Sequence, residues 1–167
     1  MALLAETLVD EWLNRQKFFT VRGIKHDVNE IDLLAVRQRS RSKPEGWHVE
    51  VQVSFRPVTY VAPLTKSLQK ELPIPSRSAR RRSLDQLERC ATAWVHAKFQ
   101  HDRKASARDN LWQGVDWRYV FVHGNVLDKA ELQLIQIAGV VLFRFIRCLT
   151  TFAYENQVSY VVQPAPM

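Results

Sequence analysis

The stretch Glu30-Ile31-Asp32-Leu33-Leu34-Ala35-Val36 and its neighbour His48-Val49-Glu50-Val51-Gln52-Val53 decide how this chain is read. Ile31 and Leu33 bracket Asp32 and predict a buried strand. A carboxylate inside such a strand is costly unless it meets a cation or a metal. The second segment alternates strictly, sending Val49, Val51 and Val53 to one face and His48, Glu50 and Gln52 to the other. Two such strands side by side would converge Asp32, Glu50 and Gln52 on one oxygen-rich site, a donor set suited to Mg²⁺ or Mn²⁺. The competing readings are a salt bridge between Asp32 and an arginine, and Glu50 and Gln52 as the solvated face of an edge strand.

Working outward, residues 2–16 read as a helix with Leu4, Ala5, Leu8, Val9 and Trp12 as its apolar stripe and Glu6 at the stripe's edge. Residues 18–24, 30–37 and 47–55 read as three strands, close enough together to form an antiparallel meander. Residues 57–82 hold four of the prolines and the Arg80-Arg81-Arg82 run. A segment of that length is expected to be a functional or partly mobile loop, with a short helix near 64–72. Ser83 and Gln86 form a capping box, and Leu84, Leu87, Ala91, Trp94, Val95 and Phe99 give the helix that follows its apolar face, to about His101. Residues 102–114 read as a second polar loop. A strand over 117–123, a helix over 127–138, a short strand over 140–143, a helix over 144–155 and an edge strand over 158–163 complete the order. Strands separated by helices imply parallel pairing.

With 167 residues and an apolar fraction of 46%, the chain is expected to form one domain, 1–167, with a buried core. No apolar run approaches a membrane span, and Glu6, Asp10 and Glu11 interrupt the N-terminal stretch, which excludes a secretory signal. Cys90 and Cys148 lie far apart without zinc spacing, so two reduced, buried thiols in a cytoplasmic protein are expected. The net charge of +7 is concentrated: residues 37–82 carry 11 Lys/Arg against 3 Glu, so this block alone accounts for the positive balance. A localised basic field favours a polyanion, nucleic acid above all, and otherwise serves as a solubilising loop.

The order helix, strand pair, helix, strand resembles the PD-(D/E)XK nuclease superfamily, whose fold is that of restriction endonucleases. Three segments carry the resemblance: Ala5-Glu6-Thr7-Leu8-Val9-Asp10-Glu11-Trp12-Leu13, which is similar to the opening helix of Holliday-junction-resolvase-like small nucleases, then Glu30-Ile31-Asp32-Leu33-Leu34-Ala35, then Val49-Glu50-Val51-Gln52-Val53-Ser54. The resemblance implies an α/β fold with an αβββαβ core and a mixed sheet flanked by helices. It also implies that Asp32, Glu50 and the backbone carbonyl of Val51 hold Mg²⁺ or Mn²⁺, with Glu6 contributing through a water or to a second ion. In that family the last motif position is usually lysine; here it is Gln52, which can orient a water but adds no positive charge.

Taken together, the expectation is a metal-dependent endonuclease hydrolysing DNA phosphodiester bonds, with Glu6, Asp32, Glu50 and Gln52 as its site. Arg37, Arg39, Arg41, Lys43, Arg56, Arg77, Arg80, Arg81 and Arg82 would contact the phosphates of duplex or branched DNA, setting affinity and register. Two cuts in a duplex need two sites, which implies a homodimer. The alternative is a catalytically inactive member that binds nucleic acid or a protein. His48 shares the Glu50 face and is read as a flanking or phosphate-contacting residue. Gln86 and Lys98, on the helix after the loop, are placed where they could face the site, Gln86 already being used as a cap.

Overall fold

The computed structural model describes residues 2–26, 29–39, 43–54 and 56–150. Helix α1 (Ala2–Arg15) is followed by strands β1 (Phe19–His26), β2 (Asn29–Arg37) and β3 (Glu45–Gln52), then by helices α2 (Lys66–Glu71) and α3 (Leu84–Val95). A single π turn (His96–Gln100) extends α3, after which come α4 (Asp102–Leu111), β4 (Asp116–His123), α5 (Lys129–Ile137) and β5 (Val140–Arg144). The five strands form one sheet in the order β1-β2-β3-β4-β5. β1, β2 and β3 pair antiparallel, while β4 joins β3, and β5 joins β4, in parallel. This is an α/β fold with a mixed sheet, and its opening order of one helix and three antiparallel strands is consistent with an αβββαβ core.

Alternation along the strands sorts side chains into two layers. Leu33, Ala35, Val49, Val51, Val120 and Val122 pack on one face against Ala5, Val9, Trp12 and Leu13 of α1. On the opposite face Phe121 and Val140 pack against Cys90, Ala91, Trp94 and Val95 of α3, Phe99 of the π turn, and Leu132 and Ile135 of α5. The α1 stripe is therefore rotated from the one expected: Leu13 belongs to it, and Leu4 is 57% exposed. A Schellman motif fixes where α1 ends. Lys17, in the left-handed region at φ 67°, and Phe18 donate to the carbonyls of Asn14 and Leu13 respectively.

The capping box holds as read: the Ser83 hydroxyl accepts from the backbone N–H of Gln86, and the Gln86 side chain accepts from that of Ser83. Leu84, in contrast, is 67% exposed, so the apolar face begins at Leu87. The segment 102–114, expected as a polar loop, is mostly helix α4. Its inward positions are Lys104, Ala107 and Arg108, at helical spacing but without an apolar stripe, so periodicity gave no signal there. The long connection after β3 is anchored to the body. Val58 bridges Val126, and Val61, Ala62, Leu64 and Leu68 join the core. Residues 145–150 begin a helix. The remainder of the expected 144–155 helix, and the strand expected over 158–163, lie outside the described residues. Cys90 and Cys148 are both free and buried, as expected. Among the described residues no helix is long and apolar enough to cross a membrane.

One close approach sets the register between β3 and β4. Gly46 pairs with Trp117, and a Cβ at residue 46 would collide with the Val115 side chain and lie 2.9 Å from the Trp117 ring. Gly46→Ala is expected to lower stability by about 1–3 kcal/mol, the usual cost of overpacking a tight site. Chemical denaturation monitored by tryptophan fluorescence measures this; an unchanged midpoint would show that Trp117 yields freely.

Candidate functional site

Burial of the β3 face produces the site. His48 and Glu50 point toward α3, the π turn and α4, and both are essentially inaccessible, Glu50 at 1% exposure. A carboxylate there needs cations, and two converge on it. Lys98, from the π turn, places Nζ 2.6 Å from Glu50 Oε2, and Lys104, from α4, places Nζ 2.6 Å from Oε1. Lys104 is itself buried, whereas the Lys98 side chain remains 38% exposed. Burial pushes the Glu50 carboxyl up, but the His48 hydrogen bond and the two ammonium groups outweigh it, and its pKa lies below the usual carboxylate range. Burial pulls the Lys98 ammonium down, but Glu50 and Asp32 hold it above its ordinary value.

The network continues behind Glu50. Burial lowers the His48 pKa to about 4, so the ring is neutral at pH 7. Its partners then assign the tautomer: Nε2–H donates to Glu50 Oε1 at 3.2 Å, and Nδ1 accepts from the Arg108 guanidinium at 2.8 Å. The same Arg108 nitrogen donates to the Phe99 carbonyl, tying the π turn to α4.

Asp32 lies one residue beyond the last paired positions of β2 and β3, Leu33 and Val49. There its Oδ2 accepts from the backbone N–H of Val51 at 2.7 Å, bridging the two strands. Oδ1 has no protein partner among the described residues. Burial, together with the nearby Glu50 carboxylate, raises the Asp32 pKa to about 6, despite the Val51 hydrogen bond and the Lys98 charge that pull it down. Glu6 on α1 is near enough to add to that rise. Glu6, Asp32, Glu50 and Lys98 thus share one electrostatic neighbourhood. Gln52 is exposed at the end of β3, where its carbonyl accepts from Gly124 N–H.

The basic residues are less uniform than their sequence suggests. Arg37 is a packing residue: it pairs with Glu45 at 2.7 Å, donates to the Gln16 carbonyl, and lies over the Phe18 ring. Arg39 is largely exposed and 3.7 Å from Glu45. Lys43, Arg56, Arg77, Arg80 and Arg81 are exposed, and Arg41 lies outside the described residues. Arg82 is buried at 7% exposure and is not available to a polyanion through its outer face. Its guanidinium donates to the Ala62 carbonyl, stacks 4.0 Å from the Tyr60 ring, and lies 3.6 Å from the fully buried Glu131. Lys104 and Arg108 were missed in the sequence. The available signal was Glu50 itself, whose burial called for cations, and the 104/107/108 spacing that places them on one side of a helix.

Among the described residues no three His, Cys, Asp or Glu side chains are grouped to hold a metal ion. The donors available to a hard divalent cation are fewer: the Asp32 carboxylate, whose Oδ2 accepts from Val51 N–H, and the Oε2 edge of Glu50, now held by the partly exposed Lys98. Magnesium commonly accepts one or two carboxylates and completes its shell with water and substrate oxygens.

No family model and no curated protein matches the sequence. A search of solved structures finds similarity to a crystal structure titled as that of a protein of unknown function, AF1548. The identity is 13%, the TM-score 0.43, and the match covers 82% of this chain and 54% of that one. This chain thus spans about half the length of that protein, and a likeness at this level carries no argument about chemistry.

The two carboxylates make opposite demands on stability. For Asp32 both folded and unfolded chains are protonated below pH 3.8, so the group contributes nothing there. Between that point and about 6 the unfolded chain has released a proton the folded chain retains, so stability falls as pH rises and the cost is constant above. Asp32→Asn keeps an acceptor for Val51 N–H and is expected to raise stability at pH 7.5 by on the order of 1–3 kcal/mol, with no gain near pH 3.5. Glu50→Gln strands Lys104 and is expected to cost about 3–5 kcal/mol. Thermal unfolding of both variants at the two pH values tests this; destabilisation by Asp32→Asn at pH 7.5 would contradict it.

Proposed function

We propose that this chain is a metal-dependent nuclease of the PD-(D/E)XK type, hydrolysing DNA phosphodiester bonds at a site made of Asp32, Glu50 and Lys98. The observation that carries the reading is the delivery of Lys98 to the carboxylate pair. The strand position where the resemblance expects a lysine holds Gln52, yet an ammonium group reaches Glu50 Oε2 at 2.6 Å from the π turn, within electrostatic reach of Asp32. A side chain 38% exposed can leave a carboxylate for a phosphate without unfolding anything.

A divalent cation held by Asp32, Glu50 and the Val51 carbonyl would supply Lewis-acid polarisation of the scissile phosphate and a more acidic bound water. The protein's residues account for the rest. Asp32 presents its Oδ1 while Val51 N–H fixes Oδ2. Lys104 and His48 hold the inner edge of Glu50, so its outer edge is the one exchanged. Lys98, released from Glu50, stabilises negative charge building on the phosphate oxygens. Gln52 orients water by its amide. The exposed cations Arg39, Lys43, Arg56, Arg77, Arg80 and Arg81 give sequence-independent contacts to the flanking backbone, and a homodimer would place two sites on one duplex.

A specific observation favours a second reading, an inactive member of the same fold that binds nucleic acid or a protein. Both Glu50 oxygens are already satisfied by lysines, so no charge at that residue is left over for a metal.

Plasmid, linear and branched DNA incubated with Mg²⁺ or Mn²⁺ separate the two. The nuclease reading expects cleavage that Asp32→Asn abolishes and Lys98→Met slows by roughly 10²–10³-fold, the usual loss for one charge-stabilising donor. Cation binding, followed by Mn²⁺ paramagnetic resonance, is expected to weaken as pH falls through about 6, where Asp32 takes up its proton. Salt-sensitive DNA binding without cleavage in either metal establishes the second reading.

A further inference from the structure

The carboxyl ends of the parallel strands β3, β4 and β5 border a cavity of about 330 Å³ that none of the site residues named above lines. We propose that it receives an unpaired base of the nucleic acid, with His123 and Arg144 bonding the base edge and Phe145 and Ile146 covering its apolar part. The inference rests on the nuclease reading for nucleic acid as the ligand. It deepens that reading by naming a substrate class, strands with unpaired bases beside the scissile phosphate.

His123 is the decisive residue. It is 5% exposed, and its Nδ1 lies 2.8 Å from the Gly124 carbonyl. A carbonyl only accepts, so Nδ1 carries the hydrogen and Nε2 is left with a lone pair. Among the described residues Nε2 makes no hydrogen bond, and it is not one of the nitrogens sealed from solvent, so it opens on the cavity that His123 lines. Burial, with the charges of Lys129 and Arg144, lowers the His123 pKa against the pull of the Gly124 hydrogen bond, and the ring is neutral at pH 7. The wall behind it is fixed. Gly124 donates to the Gln52 carbonyl and lies so close to β3 that a Cβ there would come 3.3 Å from the Ser54 nitrogen.

These features select the ligand. The Nε2 lone pair disfavours an anion, Lys129 and Arg144 disfavour a metal ion or an ammonium group, and no carboxylate lines the cavity. A neutral N–H satisfies the ring. Arg144 pairs with His123 in the β4–β5 register and makes no hydrogen bond or ion pair among the described residues, so it offers donors beside that acceptor. Val53, Phe145 and Ile146 supply an apolar wall. A base taken out of its stack makes this demand, since its pairing edge needs new partners and its face needs an apolar or aromatic surface. His123 also pairs with Gln52, two residues beyond Glu50. The cavity therefore begins about 7 Å along the strand from Glu50 and about 5 Å across. A strand whose phosphate lies at Asp32 and Glu50 reaches it with a neighbouring nucleotide.

The direct test titrates the deoxynucleosides of adenine, cytosine, guanine and thymine, which carry no phosphate, into the metal-free full-length chain and follows backbone amide resonances. Saturable shifts confined to residues 53, 54, 123–125 and 144–146 are expected with at least one of them. His123→Leu and Arg144→Ala should each weaken that binding roughly ten-fold, the loss of one hydrogen-bonding partner, and Asp32→Asn should leave it intact. Arg144 is exposed, so its replacement does not threaten folding and keeps the test decisive if His123→Leu fails to fold. Absence of saturable shifts with every nucleoside, or equal binding by Arg144→Ala, overturns the pocket. Single-stranded DNA and a duplex with a single unpaired base are then compared with a fully paired duplex of the same length. A larger Arg144→Ala loss on the DNAs with an unpaired base supports the proposal; an equal loss on all of them marks a backbone contact and overturns it, as does no loss on any. Nucleoside binding needs neither metal nor cleavage. An inactive protein that shows it retains the pocket, and an active nuclease that lacks it refutes the pocket alone.

Discussion

The fully buried Glu50 carboxylate is the constraint on which the second layer of this fold depends. An ion taken out of water costs several kcal/mol even after relaxation, and only cations in good geometry return that cost. Glu50 meets it by drawing Lys98 from the π turn and Lys104 from α4 onto opposite oxygens. Helix α4 has no apolar stripe with which to dock; what holds it to the sheet is this ion pair, the Arg108 bonds to His48 and Phe99, and the small contact of Ala107 with Ile31 and Leu34. Charge compensation thus does for α4 what hydrophobic burial does for α1 and α3.

The π turn belongs to the same constraint. The buried positions of α3 run through Leu87, Cys90, Ala91, Trp94 and Val95, and the wider turn that follows brings two consecutive side chains to the sheet: Phe99 into the core and Lys98 onto Glu50. Widened turns of this kind are frequent where a helix must aim a functional group. Phe99 supplies the packing that holds the turn and the preceding Lys98 supplies the charge, so the backbone point from which the ammonium reaches Glu50 is set by the apolar contact of its neighbour.

Much of this was legible in the sequence wherever the signal was local. Alternation in 48–53 separated Val49 and Val51 from His48 and Glu50, leaving the structure to show that the valine face packs on α1, and the Ser83/Gln86 spacing located the start of α3. The meander of β1–β3 followed from short connections. What remained unread depends on partners distant in the chain. The inward residues of α4 are polar, so their helical spacing resembled a loop. Arg82 sits in a run of three arginines that looks solvated, yet its partner Glu131 also accepts from the N–H groups of Val61 and Ala62 and pins the 57–82 connection. No local pattern distinguishes that arginine from Arg80 and Arg81. Likewise Lys98 could be placed on the right helix, but only the π turn says that it reaches Glu50 rather than solvent.

Asp32 and Glu50 then illustrate how two acids on adjacent strands come to play different parts. Glu50 has more cations than it needs, and its pKa falls; Asp32 has one backbone N–H, a negative neighbour and a raised pKa. Environments that push paired carboxyl groups apart are a mark of sites that handle protons or cations. The asymmetry has a structural origin, because Lys104 is locked in the interior behind Glu50 while Asp32 lies where the strands separate. The cation nearest to balancing Asp32 is Lys98, the more exposed of the two lysines on Glu50. The inner pair of Glu50 and Lys104 is sealed in the interior, while Asp32 and Lys98 lie at its partly exposed edge. That division makes one charged cluster a docking point for helices and, in the proposed nuclease, the place where a cation and a phosphate would meet.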